Sequence, residues 1–377
     1  MSRAPLKVLQ ICHDYEGPFK GVAYEFNSAF ADHHVTTLFL RGADTPSVRE
    51  AVGGDEVIFF EQAEGSLSGI KWTTIFRVAA LFRRQKFDLV IAHRYKGIYL
   101  AGIMSYFFTI PLILGVAHEM NVFRRPTRAL FLTFWRPRIV MLAISGAVAD
   151  SIERYCPGLV SAGRLFVTGH GIDDSAAQLP RTEARQLLDL PQDALVFGTV
   201  GRLVRKKEQH LLIEGFAIAD LNATLCLVGD GPLAAALAEQ AQGLGCGQRV
   251  CFAGWQTDAA RLLSAFDAFV FPSGDEEGFG IVLLEAMRAG VPVISSNAPG
   301  PAEVLGATTP GPLAAGLLFQ AGDAGALAEQ LRHFNSMSEE ARQQMADQAR
   351  QHFRQEFTLA AFRHKLLTLP PVVALLK

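Results

Sequence analysis

The feature that most constrains this chain is a regular alternation of short apolar runs with longer helical stretches, carried through almost its whole length. In the first half, runs suited to strands occur at Lys7–Cys12, Val35–Leu40, Glu56–Phe60, Leu89–Ala92, Leu112–Val116, Ile139–Ile144 and Leu165–Val167. Helical patterns such as Gly21–Ala31, Trp72–Gln85 and Ala147–Tyr155 lie between them. Runs that are apolar on both faces and separated by helices predict a parallel sheet covered on both sides. The alternation pauses at Thr168–Ser175, which has turn chemistry, and at the polar stretch ending near Pro191. It resumes with Leu195–Val200, Thr224–Val228, Val250–Phe252, Ala268–Phe271 and Pro292–Ser295, separated by helices at Glu208–Ala219, Leu233–Leu244 and Gly280–Ala289. The expected architecture is α/β: two doubly wound Rossmann-like domains facing a central cleft. Ligands in such sheets bind beyond the carboxyl ends of the strands, so the strand-end loops are where chemistry is sought.

A chain of 377 residues has length for two such cores. Half of it is hydrophobic and 19% charged, as expected for a globular protein rather than a disordered one. Five cysteines without a C-x-x-C pair suggest neither a disulfide framework nor a zinc site, and point to a reducing cytosol. The N-terminus runs directly into the first strand, which argues against a signal peptide. Gly97–Ala117 is uncharged for 21 residues, the length of a membrane span. Pro111 interrupts it, and the character changes there from helix-like to β-branched, so it reads as a buried helix followed by a buried strand.

Four strand-end loops in the second half hold groups that a phosphate or sugar needs. Gly198–Lys207 ends a strand in glycine and brings Arg202 and Lys207 before a helix; a diphosphate would accept charge-assisted hydrogen bonds from both, although a solvated basic turn has the same look. Gly229-Asp230-Gly231-Pro232 permits close backbone approach, to a ligand or simply within a turn. Gly254-Trp255-Gln256 offers an aromatic face for a nucleobase or for packing. The fourth loop is the most specific. Glu277-Gly278-Phe279-Gly280 opens an apolar helix whose first amides suit an anion, and Glu285 follows on that helix among Leu283, Leu284, Ala286 and Met287. Two carboxylates in this setting suit the hydroxyls of a ribose or a hexose.

Together, Gly201-Arg202…Lys207, Gly229-Asp230-Gly231-Pro232 and the Glu-x7-Glu element Glu277…Glu285 resemble the retaining GT-B glycosyltransferases of family 4 (group 1 glycosyltransferases). The likeness is strongest over Leu195–Leu305. It implies that Arg202 and Lys207 hold the diphosphate of a nucleotide-sugar donor, that Glu277 lies against the transferred sugar, and that Glu285 binds the ribose. It implies further that Gly201, Gly229, Gly231, Trp255, Gly278, Phe279 and Gly280 line the donor. In the first half, Gly17 and Gly21 match the family's glycine-rich loop after the first strand, and His118 matches a histidine lining the sugar site. His118, Glu277, Arg202 and Lys207 are thus the expected catalytic set. The implied mechanism is a front-face displacement without a metal or other cofactor, and the chain holds no Asp-x-Asp motif. The implied domains are 1–172 with a returning C-terminal helix over about 353–377, and 173–352. A sugar-nucleotide epimerase, a phosphorylase or a non-catalytic nucleotide-sugar-binding membrane scaffold would share this two-domain fold, and the intact set Arg202, Lys207, Glu277 and Glu285 argues against the scaffold.

Charge adds the acceptor side. The net charge is −2, but Met1–Ile172 carries 19 Lys+Arg against 14 Asp+Glu, and the remainder 16 against 23. Within Lys71–Arg138 twelve cations meet only Asp88 and Glu119. The near-neutral total excludes a uniformly basic nucleic-acid binder. Arg83-Arg84-Gln85-Lys86-Phe87 and Arg124–Arg136 mix cations with aromatics, a surface suited to an anionic leaflet. The expectation is a cytoplasmic, peripheral enzyme at the inner face of the cytoplasmic membrane, acting on an envelope glycan or glycolipid such as lipopolysaccharide core.

Overall fold

In the computed structural model, which describes residues 4–62, 72–135, 138–307 and 315–377, the chain divides into two compact units. The first comprises Met1–Ile172 with Leu359–Lys377, the second Asp173–Thr358. Lys71 and Arg136 of the basic window lie outside the described residues.

The first unit is a seven-stranded sheet of β1 (Lys7–Cys12), β2 (His34–Phe39), β3 (Glu56–Phe59), β4 (Leu89–His93), β5 (Leu112–Ala117), β6 (Ile139–Ala143) and β7 (Leu165–Val167). Its order is β3-β2-β1-β4-β5-β6-β7 and every pairing is parallel. β4, β5 and β6 are buried along their whole length, which is why they read as continuous apolar runs without alternation. The uncharged stretch resolves as expected into two elements: the helix Arg94–Phe107, then β5 after Pro111. Among the described residues no single helix is long and apolar enough to cross a membrane.

The second unit is a six-stranded sheet of β8 (Leu195–Val200), β9 (Ala223–Val228), β10 (Val250–Gly254), β11 (Ala268–Phe271), β12 (Val293–Ser296) and β13 (Leu317–Phe319), ordered β10-β9-β8-β11-β12-β13 and again parallel. Phe197, Leu212, Phe216, Leu225, Leu227 and Phe334 lie at the heart of its core. Arg185 is fully buried there and fully employed: its guanidinium donates to the carbonyls of Ala265, Pro191, Gln192 and Ala194 and pairs with Asp267 at 2.9 Å. It ties the segment leading into β8 to the turn before β11.

In both sheets the order reverses direction in the middle, between β1 and β4 and between β8 and β11. At such a switch point the connections on either side run to opposite faces and leave a crevice at the strand ends. The C-terminal stretch forms three helices, Glu339–Glu356, Leu359–Leu367 and Pro370–Leu376, the last two within the returning segment of about 353–377, and Pro370 opens the last, where its missing N–H costs nothing.

Candidate active site

Of the sequence-predicted donor residues of the second unit, Gly201, Arg202, Lys207 and Glu277–Gly280 follow the two strands of its switch point, whereas Gly229 and Gly231 follow β9 and Trp255 follows the edge strand β10. β8 leads into Gly201-Arg202 and β11 into the loop 272–280, so neighbouring strands deliver the two motifs side by side. Lys207 and Glu277, 70 residues apart, meet with Nζ 2.5 Å from Oε2. The ammonium also stands 5.0 Å from the ring centre of Phe271, the last residue of β11. Both side chains are mostly but not wholly buried. Arg202 is exposed, and its guanidinium makes no hydrogen bond or ion pair with a described residue, while its carbonyl accepts from Gln209. One cation is therefore held by a carboxylate and a second is free for an incoming anion.

The glycines of this region have a definite steric reason. The amide of Gly201 donates to Val228, that of Leu203 to Asp230, and that of Gly229 to Gly254, stitching the three loops together. A Cβ on Gly229 would collide with the carbonyl of Gly201, and one on Gly231 with that of Leu203. These two glycines thus approach the neighbouring loop's backbone closely. Gly280 has φ +94° and caps the helix Ile281–Ala289 without a side-chain cap, leaving first-turn amides available to an anion. Gly278 packs under Gly300 so tightly that a Cβ on Gly300 would overlap its backbone. Phe279 is buried, with its ring 6.0 Å from that of Phe357 in an edge-on contact, so only its backbone is available to a ligand. Trp255 by contrast is 73% exposed and is a surface side chain in this state.

Glu285 sits partly buried on the helix Ile281–Ala289, one turn from Arg288. Burial pushes its carboxyl up to about 7, only partly offset by Arg288. Because the folded state then holds this proton more tightly than the unfolded chain, ionisation opposes folding, and stability falls as pH rises from about 4.5 to about 7. Relative to wild type, Glu285→Gln is therefore expected to gain up to about 3 kcal/mol between pH 4.5 and pH 8, measured by urea unfolding at both. Identical pH dependence in the two proteins would contradict this.

In the first unit the strand ends carry a polar network that sequence reading caught only in part. Gly17 has φ +57° and Gly21 lies in the first turn of the helix Phe19–Ala29; a Cβ at either would meet nothing within 4 Å, so both present open backbone. His118 follows β5, as expected from its place after an apolar run. Its Nε2 lies 2.9 Å from Nδ1 of His93, the last residue of β4, and its ring stacks on that of His170 at 5.5 Å. His170 in turn faces Glu25 of the first helix at 2.8 Å, and Glu25 accepts from the Gly171 amide at 2.6 Å. On the other side Arg94 takes a left-handed backbone with φ +59°, pairs with Asp14 and Glu119, and lies 4.3 Å from the ring centre of Phe19, whose edge meets His118. Gln10, Glu25, His93, Arg94 and His170 belong to no motif in the sequence and were not expected at the site. The available signal was a polar residue at the end of an apolar strand, which His93 shares with His118.

Residues 180–352 match the family model of glycosyl transferases group 1. The stretch lies within the second unit and contains the Lys207–Glu277 pair and Glu285. The lipopolysaccharide core biosynthesis glycosyltransferase LpsE of Rhizobium meliloti is 44% identical over 118 residues, 31% of this chain and 34% of that protein. The N-acetyl-alpha-D-glucosaminyl L-malate synthase of Bacillus anthracis is 28% identical over 217 residues, 56% of this chain and 55% of that one. The chain thus spans from about a third to about half the length of these curated relatives. The crystal structure of Anabaena HepE in complex with UDP and glucose superposes with a TM-score of 0.80 at 21% identity, covering 96% of this chain and 98% of that one. The two parallel sheets are those of the GT-B glycosyltransferase fold.

Proposed function

We propose that this chain is a retaining group 1 glycosyltransferase of family 4 that moves a sugar, of the hexosyl type, from a nucleotide-sugar donor to an envelope glycan or glycolipid such as lipopolysaccharide core. The observation that carries this reading is the convergence of Lys207 and Glu277 at the switch point of the second sheet, beside the free Arg202 and the uncapped start of the helix Ile281–Ala289. A nucleotide diphosphate meets two cations and a positive helix end there. Glu277, held by Lys207, presents its remaining lone pairs to a sugar hydroxyl, and Glu285 accepts from the ribose. The family match over 180–352 and the naming of LpsE for lipopolysaccharide core synthesis support the reading.

The acceptor oxygen attacks the anomeric carbon on the face from which the diphosphate departs. The bond to the diphosphate oxygen breaks, and that leaving oxygen takes the acceptor's proton, so configuration is retained. The chain's part is electrostatic: Arg202, Lys207 and the helix-start amides stabilise charge on the departing diphosphate, and His118 orients the sugar. No metal or cofactor takes part in this scheme. A panel of nucleotide sugars, followed by thermal shift and slow donor hydrolysis with and without EDTA, tests it. One donor is expected to raise the melting temperature and be hydrolysed at a rate EDTA does not change; a panel without a stabilising donor overturns the reading.

The acceptor side is proposed to dock on the cytoplasmic face of an anionic membrane. The helix Trp72–Arg84 exposes Trp72 and Phe76 one turn apart, with Arg77, Arg83 and Arg84 also exposed; the helix Pro126–Trp135 exposes Leu130 and Phe134 after the exposed Arg124 and Arg125. Apolar pairs among cations are the composition of an interfacial helix. The protein is expected to sediment with phosphatidylglycerol vesicles at low salt and to be released by 0.5 M salt, as electrostatic attachment requires (a threshold of roughly that order). Persistence in the supernatant at low salt would sink the membrane part alone.

A further inference from the structure

The polar network of the first unit determines which nitrogen of His118 carries hydrogen. Gln10 lies fully buried on β1, with Nε2 3.1 Å from the carbonyl of Ala23 and 2.5 Å from Oδ1 of Asn27. A carbonyl only accepts, so the Gln10 atom facing Ala23 is the amide NH₂. Asn27 is oriented independently, because its own NH₂ donates to the carbonyls of Val52 at 3.0 Å and Gly53 at 3.3 Å. The remaining Gln10 atom, Oε1, therefore accepts, and the group 2.7 Å away, Nε2 of His93, must be an N–H.

The constraint on His93 passes to the next ring. A neutral imidazole with hydrogen on Nε2 has a bare lone pair on Nδ1. Burial holds His93 neutral, pushing its pKa down to about 3, with His170 adding to the effect. The lone pair on His93 Nδ1 faces Nε2 of His118 at 2.9 Å, and this contact is a hydrogen bond only if His118 supplies the hydrogen. His118 is also kept neutral, by burial first and then by His93, His170 and Arg94. The carboxylates of the network are already engaged, Glu25 with His170 and Asp14 with Arg94. A neutral ring that donates from Nε2 leaves Nδ1 bare, and Nδ1 of His118 makes no hydrogen bond to a described residue.

We infer that Gln10 and His93 are positioning residues that fix His118 in its Nε2–H tautomer, so that it presents Nδ1 to the donor sugar as a hydrogen-bond acceptor for a hydroxyl. The inference rests on the proposed role of His118 at the sugar. A His118 fixed this way selects a hydroxyl that can donate and offers nothing to a phosphate oxygen, which needs a donor. The charge of the diphosphate is thus left to Arg202, Lys207 and the helix start.

Long-range ¹H–¹⁵N spectra of the full chain labelled with ¹⁵N-histidine test this directly, with His93→Gln and His118→Gln used to assign the rings. The expected result is a protonated Nε2 and a bare Nδ1 on both rings, unchanged from pH 5.5 to 8.5 (a window of roughly three units around the ordinary histidine value). In Gln10→Leu the acceptor for His93 is lost, and His118 is expected to lose its single tautomeric pattern. A protonated Nδ1 on His118 in the wild type, titration of His118 within that window, or an unchanged His118 pattern in Gln10→Leu each overturns the inference. Should Gln10→Leu fail to fold, the wild-type spectrum alone decides. The tautomer is read without turnover, so a protein that shows it but binds no nucleotide sugar refutes the proposed function and not the relay.

Discussion

Replacing Lys207 by alanine is expected to cut sugar transfer by at least about 100-fold, and replacing Glu277 by alanine to do the same, with the chain still folded. The two side chains form one device: a cation 2.5 Å from a carboxylate, delivered by loops after β8 and β11. Lys207→Ala removes positive charge where the departing diphosphate gathers negative charge. Glu277→Ala removes both the acceptor for the sugar and the anchor that holds Lys207 in place. Because the pair is mostly but not wholly buried, removing one partner costs the folded state on the order of 1–3 kcal/mol. The double variant Lys207→Ala/Glu277→Ala should fall little further than the worse single one, since parts of one unit are not additive. Donor turnover and urea unfolding of all four proteins measure both halves of the statement. Wild-type turnover in either single variant, or independent multiplicative losses in the double, would remove the pair from the mechanism.

How far the sequence alone leads depends on which interaction carries the information. β4, β5 and β6 were legible because burial on both faces demands an unbroken apolar run, and their short length and β-branched content separate such runs from buried helix. β13 was missed: three residues, two of them only partly buried, leave too short a run to read. The Lys207–Glu277 pair was legible as two motifs, since each follows a strand end and the glycines mark the turns. Its contact was not, because it depends on β8 and β11 being neighbours across a strand-order reversal. Gly229 and Gly231 show a second source of the same signal: whatever a ligand asks of them, the adjacent loop 201–203 already leaves no room for a Cβ at either position. The histidine network was the least visible part. Gln10 and Glu25 are buried polar residues in apolar surroundings, separated from their partners His93 and His170 by 83 and 145 positions, and no local pattern links residues so far apart.

The same network sets the largest expected effect on stability. Glu25→Ala should destabilise the first unit by about 3–5 kcal/mol, because it strips a buried carboxylate partner from His170 and the acceptor from the Gly171 amide. Glu25 and His170 are each only 2% exposed, so solvent does not replace the lost contacts. Burial pushes the carboxyl of Glu25 up, while His170 and the Gly171 amide pull it down. For a unit of this size the loss amounts to a fall in melting temperature of roughly 6–20 °C, read by calorimetry. Glu25→Gln keeps an acceptor for Gly171 and a neutral partner for His170, and should lose less than half as much. Since the ring of His118 lies stacked on that of His170, loosening Glu25 also loosens the residue proposed to orient the sugar. Transfer by Glu25→Gln, assayed well below its melting temperature, should therefore be slower than wild type. Wild-type stability in Glu25→Ala would mean that the 170–171 turn is held by other contacts and that the network does not brace His118.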